Sequence, residues 1–408
     1  MSTPYDIIVA GGGMVGASLA RALAGSGLRV AVVEAWSLES GRQPSYDDRA
    51  IALAWGTRLI LDAIGVWPVL AGHAEPIRHI HVSDRGHFGC TRLHADELQV
   101  EALGYVATAH DMGRCLLQGL EQVDGVDLFC PATLERFRID DAGARVWIGR
   151  DDGSLQLTAP LLVAADGGRS AIREGLGIRV REWGYGQTAV ISNLTPGVEP
   201  NGTAYERFTD QGPMAMLPLT GGRYGLVWTL DDGAVEQVLE LDDDAFLARV
   251  QERFGNRLGR FRRAGKRSSY PLKLLQAKEH VRPRVALIGN AAHAVHPITG
   301  QGFNLGIRDV AVLAEVVSDA FHAGADIGSP QVLERYARWR RRDQQAVALM
   351  TDGLVRLFTN PLLPVRLARN LGLVALDLLP PAKELLTRQF MGVNGRLPRL
   401  SRGLPLHD

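Results

Sequence analysis

The chain has 408 residues, 46% hydrophobic and 22% charged, and its 45 Lys and Arg balance 45 Asp and Glu. This ordinary globular composition excludes a disordered chain, and the lack of net charge excludes a general polyanion binder. Cys90, Cys115 and Cys130 contain no CxxC pair, which excludes a disulfide-stapled scaffold and fits a reducing compartment, so the cytoplasm is the expected location.

At about 150 residues per domain, the length suits two or three domains. The opening MSTPYDIIVAGGGMVG has no basic n-region or cleavage site, so no secretory signal is expected. YDIIVA (5–10) reads as a buried strand, 14–26 as a helix rich in Ala and Leu, and RVAVV (29–33) as a second strand. Together they make a parallel-sheet βαβ unit. Gly11-x-Gly13-x-x-Gly16 lies between strand and helix, with Met14 and Val15 at the helix start. These glycines permit a tight turn, close approach of a pyrophosphate, and helix–strand packing. Glu34 ends the second strand 18 residues after Gly16, where a carboxylate can accept from ribose hydroxyls. The unit predicts dinucleotide binding.

LLVAADG (161–167) and VALIGNAAH (285–293) are further short apolar strands running into turns, expected to extend the same sheet. Between them, roughly 180–275, TAVISNL, PMAMLPL and YGLVWTL are separated by Gly, Pro, Asn and Asp, which predicts an antiparallel sheet. From Gly302 to Ala323 and again over 329–358 the periodicity is helical, the second stretch opening on Ser-Pro. The apolar stretch LGLVALDLLPP (371–381) is broken by Asp377, Pro380 and Pro381, so no spanning helix is expected. His293 and His296 lack a third ligand at metal spacing and read as structural, with no metal expected. RWRRR (338–342) reads as a solvated or ion-paired helix face, and no nucleic-acid partner is expected.

Three motifs follow one another: Asp166-Gly167 with Ser170 and Arg173; Gly289-Asn290; and His296-Pro297 leading through Gly300-Gln301-Gly302 into a helix. In this order they resemble the single-component FAD-dependent aromatic hydroxylases, the para-hydroxybenzoate hydroxylase family. HPITGQGFNLGIRD is similar to the signature of the ubiquinone-biosynthesis subgroup. Asn290 and DDRAIALAWGTRLILDAIGVW (47–67) look most like its 2-polyprenyl-6-methoxyphenol hydroxylase branch.

The resemblance implies an α/β protein. A Rossmann-like FAD-binding domain (1–75, 101–178 and 281–328) would carry an inserted, mainly antiparallel substrate sheet (76–100 and 179–280) and a helical C-terminal region (329–408). It implies Arg49 and Arg114 near the FAD phosphates and ribitol, Asp166 and Gly167 on the flavin side, and Asn290 on the ribitol, with Pro297, Gly300 and Gln301 forming the turn. The amides of Gly302, Phe303 and Asn304 would point at the anionic edge of the reduced flavin. Gly302 and Phe303 are thereby the expected catalytic residues. The implied reaction is ring hydroxylation of a polyprenylated phenol in ubiquinone biosynthesis, with NADPH or NADH as transient donor and O2 adding through a flavin hydroperoxide. No acid–base side chain is identifiable. A bilayer-borne substrate implies peripheral contact at the inner membrane and assembly with other enzymes of the same biosynthesis. A small-phenol hydroxylase, a prenyl reductase and a non-catalytic prenyl-binding protein on the same fold are the alternatives.

Overall fold

A computed structural model of the chain describes residues 3–37, 47–360 and 362–406. Its centre is a six-stranded sheet ordered Val281–Arg282, Val285–Leu287, Leu161–Ala164, Ile7–Ala10, Val30–Val33, Val126–Phe129. All neighbours are parallel except the first pair. The predicted strands therefore do share one sheet. Their runs are continuously apolar because both faces are covered. Ile7, Val9, Val30 and Val32 pack with helices Met14–Ala22 and Gln301–His322, while Ile8, Ala10, Leu162 and Ala164 pack against a second sheet. That second sheet, Thr3–Pro4, Gly153–Ala159, Gly143–Arg150 and Thr133–Asp140, has no counterpart in the sequence reading.

A nine-stranded, mainly antiparallel sheet holds Val180–Thr195, Thr203–Thr209, Gly212–Leu219, Arg223–Asp231 and Ser268–Ala277, extended by His79–Asp84 and Cys90–His94 and, at the other edge, His293–Ala294. One face buries Met214, Met216, Leu226 and Trp228 against helix Asp243–Phe254. Arg207 lies half-buried, not exposed as its polar neighbours suggest, and burial lowers its pKa. A small sheet, Ala50–Ala54, Gly104–Thr108 and Glu75–Ile77, connects the two large ones.

The C-terminal helices are Pro330–Thr359, Leu363–Leu378 and Pro380–Phe390. They roof the other face of the large sheet. Phe358 stacks on Phe208 at 3.4 Å between ring centroids, and Thr91 Oγ1 donates to the Leu373 carbonyl at 2.6 Å. Asp84 accepts from Arg369 Nε and Asn370 Nδ2, each at 2.9 Å. Among the described residues no helix is long and apolar enough to cross a membrane.

Candidate active site

The glycine loop is closed so tightly that side chains are excluded. Gly11 has φ +100°, and a Cβ on it would lie 2.5 Å from the Ala165 carbonyl oxygen; a Cβ on Gly16 would lie 1.9 Å from the Gly11 carbonyl oxygen. Gly13 caps helix Met14–Ala22, whose N-terminus faces the cleft. Glu34 is buried and braces the loop: Oε2 accepts from the Gly12 amide at 2.7 Å and Oε1 from the Trp36 amide at 2.9 Å. Burial raises its pKa, against the pull of these amides.

Asp166 Oδ2 accepts from the Ile172 amide at 3.3 Å, whereas Oδ1 is buried with no partner. Gly167 beside it has φ +83°. Arg173, 4% exposed, donates to the carbonyls of Gly168 at 2.8 Å and Ala291 at 3.0 Å, and so ties this loop to the turn carrying Asn290. That turn is anchored from beneath. The Gly289 amide donates to Asp309 Oδ2 at 3.0 Å, and Asp309 also meets His293 Nε2 at 2.6 Å, Arg340 Nε at 2.7 Å and Gln344 Nε2 at 2.9 Å. Burial alone would raise the pKa of Asp309, but His293 and Arg340 hold it well below the usual carboxylate range. Arg340 is therefore the inward, ion-paired member of the basic run, and His293 pairs with the same carboxylate. His296 is buried, its Nδ1 accepting from the Ile298 amide at 3.1 Å, with burial lowering its pKa to about 4.

Gly300, at φ +62°, caps helix Gln301–His322. By the i→i−4 pattern, Gly302 and Phe303 present amides to the cavity, whereas the Asn304 amide is the first with an intrahelical acceptor, Gly300. This corrects the expected set of three donors. The Asn304 side chain is likewise fully used: Oδ1 accepts from Ala54 N at 2.8 Å and Thr57 Oγ1 at 2.6 Å, and Nδ2 donates to Ala52 O at 2.8 Å and Gly300 O at 2.7 Å.

One cavity of about 680 Å3 joins these elements. Gly13, Met14, Val15, Arg49, Gly167, Asn290, Pro297, Gly300, Gln301, Gly302, Phe303 and Asn304 line the end of it beside the glycine loop. Arg49 pairs with Asp47 at 3.1 Å and lies over Tyr270, whose hydroxyl also donates to Asp47; burial and Asp47 push that phenol up to about 12. Arg114 is not brought here: it is half-exposed, pairing with Asp111 at 3.3 Å and His73 at 3.0 Å. The far end is apolar, walled by Ile191, Leu217 and Val227 of the large sheet and by Leu373, Leu376 and Phe390 of the C-terminal helices. Alternation puts only Ala215 and Leu217 of PMAMLPL and Val227 of YGLVWTL on this wall. Sequence reasoning missed Glu206, which lies on the same wall.

A profile of the FAD binding domain family matches residues 4–351. Ubiquinone hydroxylase UbiL of Rhodospirillum rubrum is 40% identical over 407 residues, covering 98% of this chain and 93% of that protein. The 3-demethoxyubiquinol 3-hydroxylase of Escherichia coli is 32% identical, covering 92% and 95%. The chain belongs to the FAD-dependent aromatic hydroxylases. Among solved structures, p-nitrophenol 4-monooxygenase PnpA from Pseudomonas putida DLL-E4 superposes with a TM-score of 0.79 over 97% of this chain and 100% of that one; at 22% identity this shows the shared fold.

As a member of that family, the hydroxylase takes FAD as cofactor and NAD(P)H as electron donor. Its residues fit the cofactor: the unpartnered Asp166 Oδ1 is an acceptor awaiting a donor, Gly11 and Gly16 keep side chains out of the loop, and two helix N-termini face one cleft. Among the described residues no His, Cys, Asp and Glu cluster could hold a metal.

Proposed function

We propose that this protein is an FAD-dependent monooxygenase that hydroxylates the ring of a polyprenylated phenol, a ubiquinone precursor, with O2 as co-substrate. The observation that carries this reading is the continuity of the nucleotide cleft with an apolar chamber in one cavity. Gly11, Gly13 and Gly16 admit the pyrophosphate, with Met14 and Val15 at the helix start. Glu34 has lone pairs left for the ribose, Arg49 and Asn290 face the phosphate and ribitol stretch, and Asp166 with Gly167 borders the flavin. FAD held there would supply the redox chemistry, with NAD(P)H as electron donor and O2 as oxygen source. The chain's own share is to exclude water, hold the ring, and place the Gly302 and Phe303 amides and a helix N-terminus beside charge on the flavin edge.

The C-terminal helices bear on delivery of the substrate. Leu371, Leu378 and Leu385, on the same helices that wall the chamber, are 60%, 71% and 66% exposed. Of the basic groups nearby, Arg356 pairs with Asp352, Lys383 with Glu97 and Arg388 with Glu384, so attraction to a bilayer would come mainly from the leucines. A tail leaving the chamber between these helices would meet lipid directly.

The test is turnover of one phenol head group bearing zero, one, two and more isoprene units. Each buried CH2 contributes about 0.8 kcal/mol, so the first unit should raise kcat/KM more than tenfold. Equal kcat/KM across the series would refute the prenylated substrate and leave a hydroxylase of a small soluble phenol.

A further inference from the structure

Glu206 is out of place in an apolar wall. On strand Thr203–Thr209 it is paired with Val82 on one side and Ala215 on the other, and the same row continues through Val227 to Ile191, all lining the cavity. Within its strand, Ala204 and Phe208 share its face and line the cavity too. Glu206 is half-buried and lines the chamber with them. Among the described residues no hydrogen bond or ion pair reaches it.

Tyr205, next to it on the strand, also borders the cavity, with its ring against Tyr224 and Phe254, and the charged groups on the surrounding elements are paired elsewhere. Asp84, two residues along the neighbouring strand, is paired with Arg369 of the roofing helix at 2.9 Å. At the nucleotide end Arg49 and Tyr270 are bound to Asp47, and Lys273 pairs with Glu182 at 2.9 Å. Gly212–Leu219 brings no titratable side chain to the wall. A buried carboxyl with no partner is costly, and such groups persist where a ligand completes them.

We propose that Glu206 receives the hydroxyl of the phenolic substrate and takes its proton when the ring is oxidised. This rests on the reading of the protein as a phenol hydroxylase. The phenolic O–H bond breaks, its proton passes to a Glu206 carboxylate oxygen, and the electron pair stays on the phenolate oxygen, from which it feeds the ring carbon that accepts oxygen. The oxygen atom and the reducing equivalents come from O2 and NAD(P)H. Burial lifts the Glu206 pKa to about 8, within about 2 units of a phenol near 10, where an ordinary glutamate would stand about 6 units below. The apolar setting thus tunes the acceptor toward its donor.

The experiment uses FAD-loaded protein without NAD(P)H, titrated with an alkylphenol and with its methyl ether, binding being read from the flavin absorbance between pH 6.5 and 9.5. An ionised acceptor makes roughly twice as strong a hydrogen bond, so the phenol should bind about fivefold tighter at the alkaline end. The ether should show no such rise, and E206Q should bind the phenol with a flat profile. Turnover is measured in parallel, and E206Q should lose about 100-fold in kcat. A phenol profile in E206Q identical to the parent's, or an ether profile that rises with the phenol's, overturns the role of Glu206. Absence of phenol turnover by the parent protein instead overturns the hydroxylase reading, while the binding profiles still report on the carboxyl.

Discussion

Replacing Asn304 by alanine tests whether this side chain belongs to the fold or to the cofactor. Strand Ala50–Ala54 is an edge of the three-stranded sheet, and the Asn304 amide pairs with its open side as another strand would, accepting from Ala54 N and donating to Ala52 O. After Asn304→Ala, the Thr57 hydroxyl can rotate elsewhere and Gly300 O keeps the Asn304 backbone amide, leaving Ala54 N–H and Ala52 C=O without partners. At about 1–3 kcal/mol for each of the two stranded groups, the cost is roughly 2–6 kcal/mol. At about 2 °C per kcal/mol for a chain of this length, the unfolding midpoint of the FAD-free protein should fall about 4–12 °C, read by circular dichroism. Asn304→Asp should be worse than alanine, because its second oxygen would face the Ala52 and Gly300 carbonyls. An alanine variant with unchanged midpoint, or an aspartate variant as stable as the parent, would refute the reasoning.

Gly16→Ala must push the helix off the loop, since its Cβ would sit 1.9 Å from the Gly11 carbonyl oxygen. Fluorescence titration of the apoprotein should then show FAD affinity reduced by about 100-fold or more, about 2.7 kcal/mol. Arg340→Met leaves Asp309 buried with His293 and Gln344 and should cost about 3–5 kcal/mol at pH 7. Because the folded pKa of Asp309 is depressed, the pair's contribution is complete above about pH 4, the unfolded value, and is lost as pH falls through the folded one. The gap in urea midpoint between parent and variant should therefore shrink from pH 7 to pH 3, and a constant gap would contradict the assignment.

What the sequence made legible is what local pattern encodes. The parallel strands announce themselves as apolar runs because both faces are covered, and the glycine loop and the Gly300 turn do so because backbone approach there admits no side chain. The four-stranded sheet stayed hidden because strands such as Thr133–Asp140, with Arg136 and Arg138, are half-exposed and mostly polar. Glu206 was invisible for a related reason. Inside YERFTD a glutamate reads as solvated, and only the pairing with Val82 and Ala215 reveals that its face is the dry one. Asn304 was legible as part of the site but not in its role, since pairing with a strand about 250 residues earlier leaves no local trace.

The buried Asp309 has a consequence for how a nascent chain becomes a flavoprotein. The loop at Gly11 rests on Ala165, the Asn290 turn hangs from Asp309, and Asp309 is held by Arg340 and Gln344. At about 5–20 residues per second, the ribosome takes roughly 20–70 s to pass from the first of these residues to the last. Until then the glycine loop exists without the floor of its own cleft, and contacts of such long range form late. Assembly of the cleft is therefore expected late in synthesis. A chain released before Arg340 would carry nearly all of the nucleotide-lining residues and still lack the anchor that holds them in register.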